Sequence, residues 1–313
     1  MADMIATRDA YGKALVEFGS ENENIVVLDA DLAAATKTCI FAKAYPERFF
    51  DCGIAENNMM GVAAGLALSG KIAFASTFAM FAAGRSFDQV RNSIGYPHAN
   101  VKIGATHGGI TVGEDGATHQ CLEDFALMRT IPGMTVMSPA DAVEARLMVK
   151  AAIEMNGPVY MRFGRAAVPV IFDENYKFEI GKGVKLVDGT DVALIANGIE
   201  VPQALSASEM LKAEGISASV INMATIKPID RDLVIEEAKR CGCIVTCEEH
   251  NIIGGLGAAV AETVCETVPV PVLRVGANDC FGRSGPAMQL LSMFGMDAAA
   301  ICEKAKAAVA LKK

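Results

Sequence analysis

The chain has no Trp and only four His in 313 residues, and aromatic side chains make up 6% of it. With histidine this scarce, each one set among acidic or glycine-rich neighbours is a candidate for chemistry. Long apolar runs are also missing: none reaches the roughly 20 residues that a membrane-crossing helix needs. The stretch Met1 to Gly19 mixes Asp3, Arg8, Asp9, Lys13 and Glu17 into its apolar rhythm, so it has no signal-peptide core. Basic charge is not in excess, since 28 Lys and Arg face 37 Asp and Glu for a net charge of -9. That argues against nucleic-acid or anionic-membrane binding while leaving room for a local basic site for a small anion. The nine Cys lack regular spacing, and a chain of this size needs no staples, so free thiols in a reducing cytoplasm are expected. Cys241, Cys243 and Cys247 form C-x-C-x3-C, but Cys243 to Cys247 alternates as a strand does, and buried thiols there need no metal.

What the chain does have is a steady alternation of short β-branched runs with longer helical patterns, which reads as an α/β protein with mainly parallel sheets. Strands are expected at Ile25 to Leu28, Arg48 to Asp51, Lys71 to Ser76, Val101 to Ala105, Thr135 to Met137 and Val159 to Phe163. Helices are expected from Thr7, as N-cap, to Phe18 and from Asp141 to Met155. From Ala166 to Gly189 the pattern loosens around Pro169, Asp173, Glu174 and Asn175, as in an interdomain connection. A second α/β unit follows, with strands at Val192 to Ala196, Ala218 to Asn222, Ile244 to Cys247 and Val272 to Val275. The expected division is thus a first domain at 1–168, a connection at 169–189 and a second domain at 190–313.

Three clusters carry chemistry. Asp51-Cys52-Gly53-Ile54-Ala55-Glu56-Asn57-Asn58 leads into an apolar helical stretch. Glu56 is either an exposed first-turn acid favoured by the helix dipole or a buried acid with one dedicated partner; read alone, the exposed form is preferred. In Ser76-Thr77-Phe78-Ala79-Met80-Phe81 the two Phe share a face if the stretch is helical, which in isolation reads as core packing. Thr106 to Gln120 (THGGITVGEDGATHQ) is the most unusual, placing two His, an acid at Asp115 and four Gly just after a strand, where ligands collect in parallel sheets. Gly permits close backbone approach, His and Asp supply proton transfer and hydroxyl recognition, and the spacing fits no common zinc pattern.

Taken in order, GIAENN, STFAMF, THGGITVGEDGATHQ, VYMRFGR and VTCEEHNIIGGLGAAVAE resemble the C-terminal part of transketolase, over essentially the whole chain. The resemblance implies a thiamine-diphosphate pyrimidine-binding fold followed by a transketolase C-terminal α/β domain. It implies that Glu56 hydrogen-bonds the pyrimidine ring nitrogen, favouring the imino tautomer whose exocyclic nitrogen can remove the thiazolium C2 proton. Apolar neighbours would help the acid keep its proton. Phe78 and Phe81 would wall the ring, with Gly84 where a third aromatic is common. Asp31 matches an acid near the cofactor, with a helix N-cap as its ordinary alternative. His119 matches the catalytic histidine that contacts the donor ketose, and Asp115 the residue that recognises an acceptor hydroxyl. His107, Arg165 and Arg8 match the basic groups that hold the sugar phosphate. Ala35 stands where a Ser often assists them, so either Thr36 substitutes or the grip is weaker.

The Gly-Asp-Gly element, followed at a distance by Asn, that usually holds Mg2+ and the diphosphate is missing, so no residue is assigned to a metal. The resemblance therefore implies a separate N-terminal transketolase subunit completing the site for thiamine diphosphate and Mg2+. The expected assembly is a heterotetramer with two copies of each, acting on sugar phosphates of the pentose phosphate pathway. The beta subunit of 2-oxoacid dehydrogenases shares the plan but generally lacks the loop present here as Asp115 to His119. Deoxyxylulose phosphate synthase has that loop but usually no counterpart of His107. A noncatalytic scaffold would have lost some of Glu56, His107, Asp115, His119 and Arg165. Glu248-Glu249-His250 before Gly254-Gly255-Leu256-Gly257 lacks dinucleotide spacing. The resemblance gives this domain a supporting part, with His250 structural or interfacial.

Overall fold

Apolar runs such as Ile25-Val26-Val27-Leu28 are buried on both faces, as parallel strands between helical layers must be. A computed structural model describes residues 3–312; Met1, Ala2 and Lys313, the outermost residues of the expected domains, lie outside the described residues. Along the chain come β1 (Met4–Ala6), β2 (Ile25–Asp29), β3 (Phe49–Asp51), β4 (Ile72–Phe78), β5 (Val101–Thr106), β6 (Thr135–Met137), β7 (Val159–Phe163) and β8 (Ala167–Pro169). They are followed by β9 (Val184–Val187), β10 (Val192–Ala196), β11 (Ala218–Asn222), β12 (Thr225–Lys227), β13 (Ile244–Asn251) and β14 (Val272–Ala277). A seven-stranded sheet has the order β12-β6-β7-β5-β4-β2-β3 and a five-stranded sheet the order β14-β13-β10-β11-β9. Only the edge strands β12 and β9 run antiparallel to their neighbours in these sheets. The chain is an α/β protein with mainly parallel sheets.

On one face of the large sheet, helices Thr7–Glu21 and Ala142–Glu154 bury Tyr11, Leu15, Phe18 and Met148. On the other, helix Glu56–Leu68 buries Met59, Met60, Ala63 and Ala64. Asp141 caps the Ala142–Glu154 helix by accepting from Glu144 N at 2.8 Å. Thr7 does not cap its helix as expected. The N-cap position is Ala6, and the Thr7 hydroxyl accepts from Gly164 N at 2.8 Å, because β1 pairs with β8 and fixes the chain's entry from outside the helix.

Four strands were not legible: β1, β8, β9 and β12 are short edge or paired segments without a core periodicity of their own. One of them, β12, ties the halves together. Strand β9 forms within the expected connection, and β12 leaves the second half to join β6 of the first sheet. The connection is pinned further by Asp141 Oδ2, which accepts from Ile171 N and Phe172 N at 2.7 and 2.8 Å. Glu144 Oε1 accepts from Tyr176 Oη and Asn222 Nδ2 at 2.6 and 2.7 Å, and burial pushes this carboxyl up to about 7. All nine cysteines are free. Cys241 and Cys243 turn their thiols to the Gly189 and Asp191 carbonyls, and burial pushes the Cys241 thiol up to about 12. Among the described residues no helix is long and apolar enough to cross a membrane.

Candidate active site

The candidate residues gather because the chain leaves the carboxyl ends of neighbouring parallel strands there. Asp31 follows β2, Glu56 follows β3, Phe78 ends β4, His107 follows β5 and Arg165 follows β7. One cleft is lined by Asp31, Leu32, Ile54, Glu56, Phe81, Arg85, Thr118 and His119, with Ala30.

Glu56 is the first residue of its helix and is only 2% exposed, so the buried alternative holds and the exposed one does not. Its dedicated partner is Arg85, whose Nη1 donates to both carboxylate oxygens at 2.8 and 2.9 Å. Beside the apolar neighbours expected to help this acid keep its proton there is thus a guanidinium, which lies 4.4 Å from the Phe81 ring centre. Burial of a lone carboxylate is costly, and a bound guanidinium offsets much of that cost. Phe78 and Phe81 do not share a helix face. Phe78 ends a strand, Phe81 lies in the π-helical turn Met80–Arg85, and their rings stack at 5.8 Å. Gly84 has the Met80 methyl over it, within 2.1 Å of where a Cβ would stand; a flexible thioether occupies the neighbourhood of the missing aromatic.

Asp31 is exposed, holds a φ of +63° and donates its N–H to Asp51 Oδ1. The N-cap alternative for it fails, because the N-cap position of helix Ala33–Thr36 is Leu32, with no side-chain cap, and fully buried Asp29 accepts from Leu32 N at 2.7 Å. Asp29 also accepts from the Thr36 and Thr38 hydroxyls at 2.7 and 2.8 Å. Thr36 is therefore turned into the core, and its hydroxyl is not on offer in place of the Ser that Ala35 replaces.

His107 is 2% exposed, has a φ of +57° and stacks on Phe78 at 3.8 Å. Arg8 Nη1 lies 2.9 Å from its Nε2, and Thr106 Oγ1 lies 2.9 Å from its Nδ1. A guanidinium can only donate, so Nε2 accepts and Nδ1 carries the proton. Burial, then Arg8, Arg165, His119 and Lys37, hold its pKa down at about 3, which keeps the ring neutral. Burial lowers the Arg8 guanidinium too, opposed by Asp9 and assisted by Arg165. The same Arg8 donates to Ala35 O at 3.1 Å. Arg165 donates to Val112 O and pairs with Glu114 and Asp115 at 3.4 and 3.5 Å. His119 meets Phe81 edge-on at 5.4 Å and shares a 2.9 Å hydrogen bond with Thr118 Oγ1. The arrangement has a carboxyl at its floor, aromatic walls and a cationic rim, which suits an uncharged heteroaromatic ring inside and an anion at the mouth.

The profile of the transketolase pyrimidine binding domain matches residues 3–170, and that of the transketolase C-terminal domain matches residues 181–301. This chain belongs to the transketolase family. It is similar to a putative transketolase C-terminal section from Methanocaldococcus jannaschii, 52% identical over 95% of this chain and 94% of that one. It is also similar to 6-deoxy-6-sulfo-D-fructose transketolase subunit SqwH from Clostridium sp. strain MSTE9, 44% identical over 95% and 92%. A solved split gene transketolase, described as an inactive beta4 tetramer, superposes with a TM-score of 0.93 at 56% identity, covering 99% of this chain and 100% of that one. Within the family, the chain is of the C-terminal-section type found in split transketolases.

For a transketolase pyrimidine-binding domain, thiamine diphosphate is the implied cofactor. The cleft fits its aminopyrimidine end: a sequestered carboxylate, an aromatic wall and one hydrogen-bonding face are all present. Among the described residues no group of three or more His, Cys, Asp or Glu side chains could hold a metal ion. Arg85 and Asp29 escaped the sequence reading. Asp29 lay one residue beyond the expected strand Ile25 to Leu28, whereas Arg85, directly after Gly84, carried no signal of its own.

Proposed function

We propose that this chain works with a separate diphosphate-binding subunit to move a two-carbon ketol unit from a ketose phosphate to an aldose phosphate. The observation that carries this is the burial of Glu56 at the floor of a cleft shared with Phe81 and His119. Bound thiamine diphosphate supplies the carbanion chemistry of ketol transfer. Glu56 holds or shares a proton at the pyrimidine ring, while Phe78 and Phe81 orient the ring and exclude water. His119, at the mouth, hydrogen-bonds the donor hydroxyls, and Asp115 selects the acceptor. Arg8 and Arg165, with neutral His107 between the cations and Phe78, hold the phosphate. The partner supplies the Mg2+ and diphosphate grip, in an assembly of two copies of each chain, and the proposed division is 1–168, 169–189 and 190–313.

The relative named for a sulfosugar shows that the far end of the ketose varies among similar subunits, so the phosphate preference here rests on the Arg8–Arg165 rim. The test combines this chain, the partner subunit, Mg2+, thiamine diphosphate, xylulose 5-phosphate and ribose 5-phosphate. Glyceraldehyde 3-phosphate is expected from the pair and none from this chain alone. Turnover by this chain alone refutes the two-chain reading. Consumption of pyruvate with glyceraldehyde 3-phosphate, in place of ketol transfer, moves the assignment to a deoxyxylulose phosphate synthase activity.

A further inference from the structure

The substrate loop owes its shape to a carboxylate from the other domain. Strand β13 continues past Cys247 and carries Glu249, 6% exposed, beneath the segment that follows His107. Thr111 N donates to Glu249 Oε1. Gly109 has a φ of +83°, and a Cβ there would lie 2.2 Å from the Glu249 carboxyl carbon; at Gly108 a Cβ would lie 2.0 Å from Arg162 Nε. The two glycines after His107 are thus seated on an acid of the C-terminal domain and a base of β7, at a distance no side chain tolerates. The return of the loop is held alongside, with Gly109 N donating to Cys121 O at 2.9 Å and Arg162 Nη2 to the same oxygen at 2.8 Å. Burial pushes the Glu249 carboxyl above the usual carboxylate range, opposed first by Arg162.

We propose that Glu249 is a positioning residue: from the C-terminal domain it fixes the Gly109–Thr111 turn, and through that turn it sets where His107 and His119 stand relative to the phosphorylated donor. The kinetic part of this rests on the ketol-transfer reading; the structural part does not. Its chemistry is specific, because an amide oxygen can replace the carboxylate as acceptor for Thr111 N–H, whereas a methyl cannot.

The test uses Glu249→Ala and Glu249→Gln in the full chain. Hydrogen–deuterium exchange on the chain without its partner should show amides of residues 108–113 in the Ala variant exchanging about tenfold faster, the loss of one hydrogen bond to a charged group. Amides of β10 and β11 should stay as in the wild type, and the Gln variant should recover most of the protection. In the assembled pair, the Ala variant should raise KM for xylulose 5-phosphate about tenfold with a smaller fall in kcat, and the Gln variant should restore it. The proposal is overturned by an unchanged loop, by equal acceleration throughout the C-terminal domain, by Ala and Gln variants that behave alike, or by a loosened loop with a wild-type KM. If the wild-type pair shows no ketol transfer, the functional reading fails, and exchange still decides whether Glu249 holds the loop.

Discussion

The two sheets of this molecule are both mainly parallel, and the cleft that gathers the motif residues lies at the strand ends of the larger one. At the carboxyl ends of β2 to β5, the loops lead Asp31, Glu56, Phe81 and His119 to one cleft, with His107 stacked on Phe78 next to them. At the corresponding end of β13, the acids are already engaged. Glu248 accepts from Leu256 N and Gly257 N at 2.6 and 2.8 Å, filling the N-terminus of helix Leu256–Cys265 with its own carboxylate. His250 is buried, accepts from Ala126 N and stacks on Phe125 at 5.2 Å across the domain boundary. Glu249 holds Thr111. Parallel topology therefore brings polar side chains to strand ends in both sheets, and the two differ in which of them face open space: Glu56 and His119 line a cleft, whereas Glu248 is spent on a helix N-terminus.

The largest expected effect sharpens that contrast at Glu56. Glu56→Gln leaves one oxygen for Arg85 Nη1 but turns an NH2 group toward it, so stability should fall by about 1–3 kcal/mol while turnover with the partner falls by about a thousandfold. Activity within tenfold of wild type would remove this cleft from consideration. The next is His107→Asn, which should raise KM for the donor sugar phosphate about tenfold and change the acid sensitivity of the fold. The folded-state pKa of about 3 lies below the ordinary 6.5, so below 6.5 only the unfolded chain takes up the proton readily. Stability from this group is fully present above 6.5 and is lost as pH falls toward 3. Urea unfolding between pH 7 and 4 should therefore show a smaller loss for the Asn variant, and equal slopes would mean that His107 is not held neutral. The smallest effect belongs to the other sheet. Glu248→Gln should cost about 1–3 kcal/mol in stability, since an NH2 group then faces a helix N–H, while leaving kcat and KM unchanged. A selective loss of activity there would break the division between the two ends.

Much of the architecture was legible in the residues. Strands Thr135 to Met137, Val159 to Phe163, Val192 to Ala196 and Ala218 to Asn222 stand where their apolar runs place them. Fully buried parallel strands announce themselves by continuous apolar composition. The edge strands β9 and β12 did not, because they are defined by whom they pair with. Glu56 shows the same limit for the site: its neighbours in sequence could not say whether it was exposed, and its partner Arg85 lies 29 residues away. Thr36 shows it in reverse, since its place beside Ala35 suggested a phosphate contact and its contact with Asp29 removes it.

By itself the sequence determined the alternation of strand and helix, the ordered motifs of the family and the missing Gly-Asp-Gly, because each is a property of residues close together in the chain. Only the tertiary structure decided that Glu56 meets Arg85, that His107 is neutral beside Arg8, and that an acid from the C-terminal domain underlies the glycine pair. Burial and partnership set the state of an ionisable group, and both depend on residues brought together from distant parts of the chain.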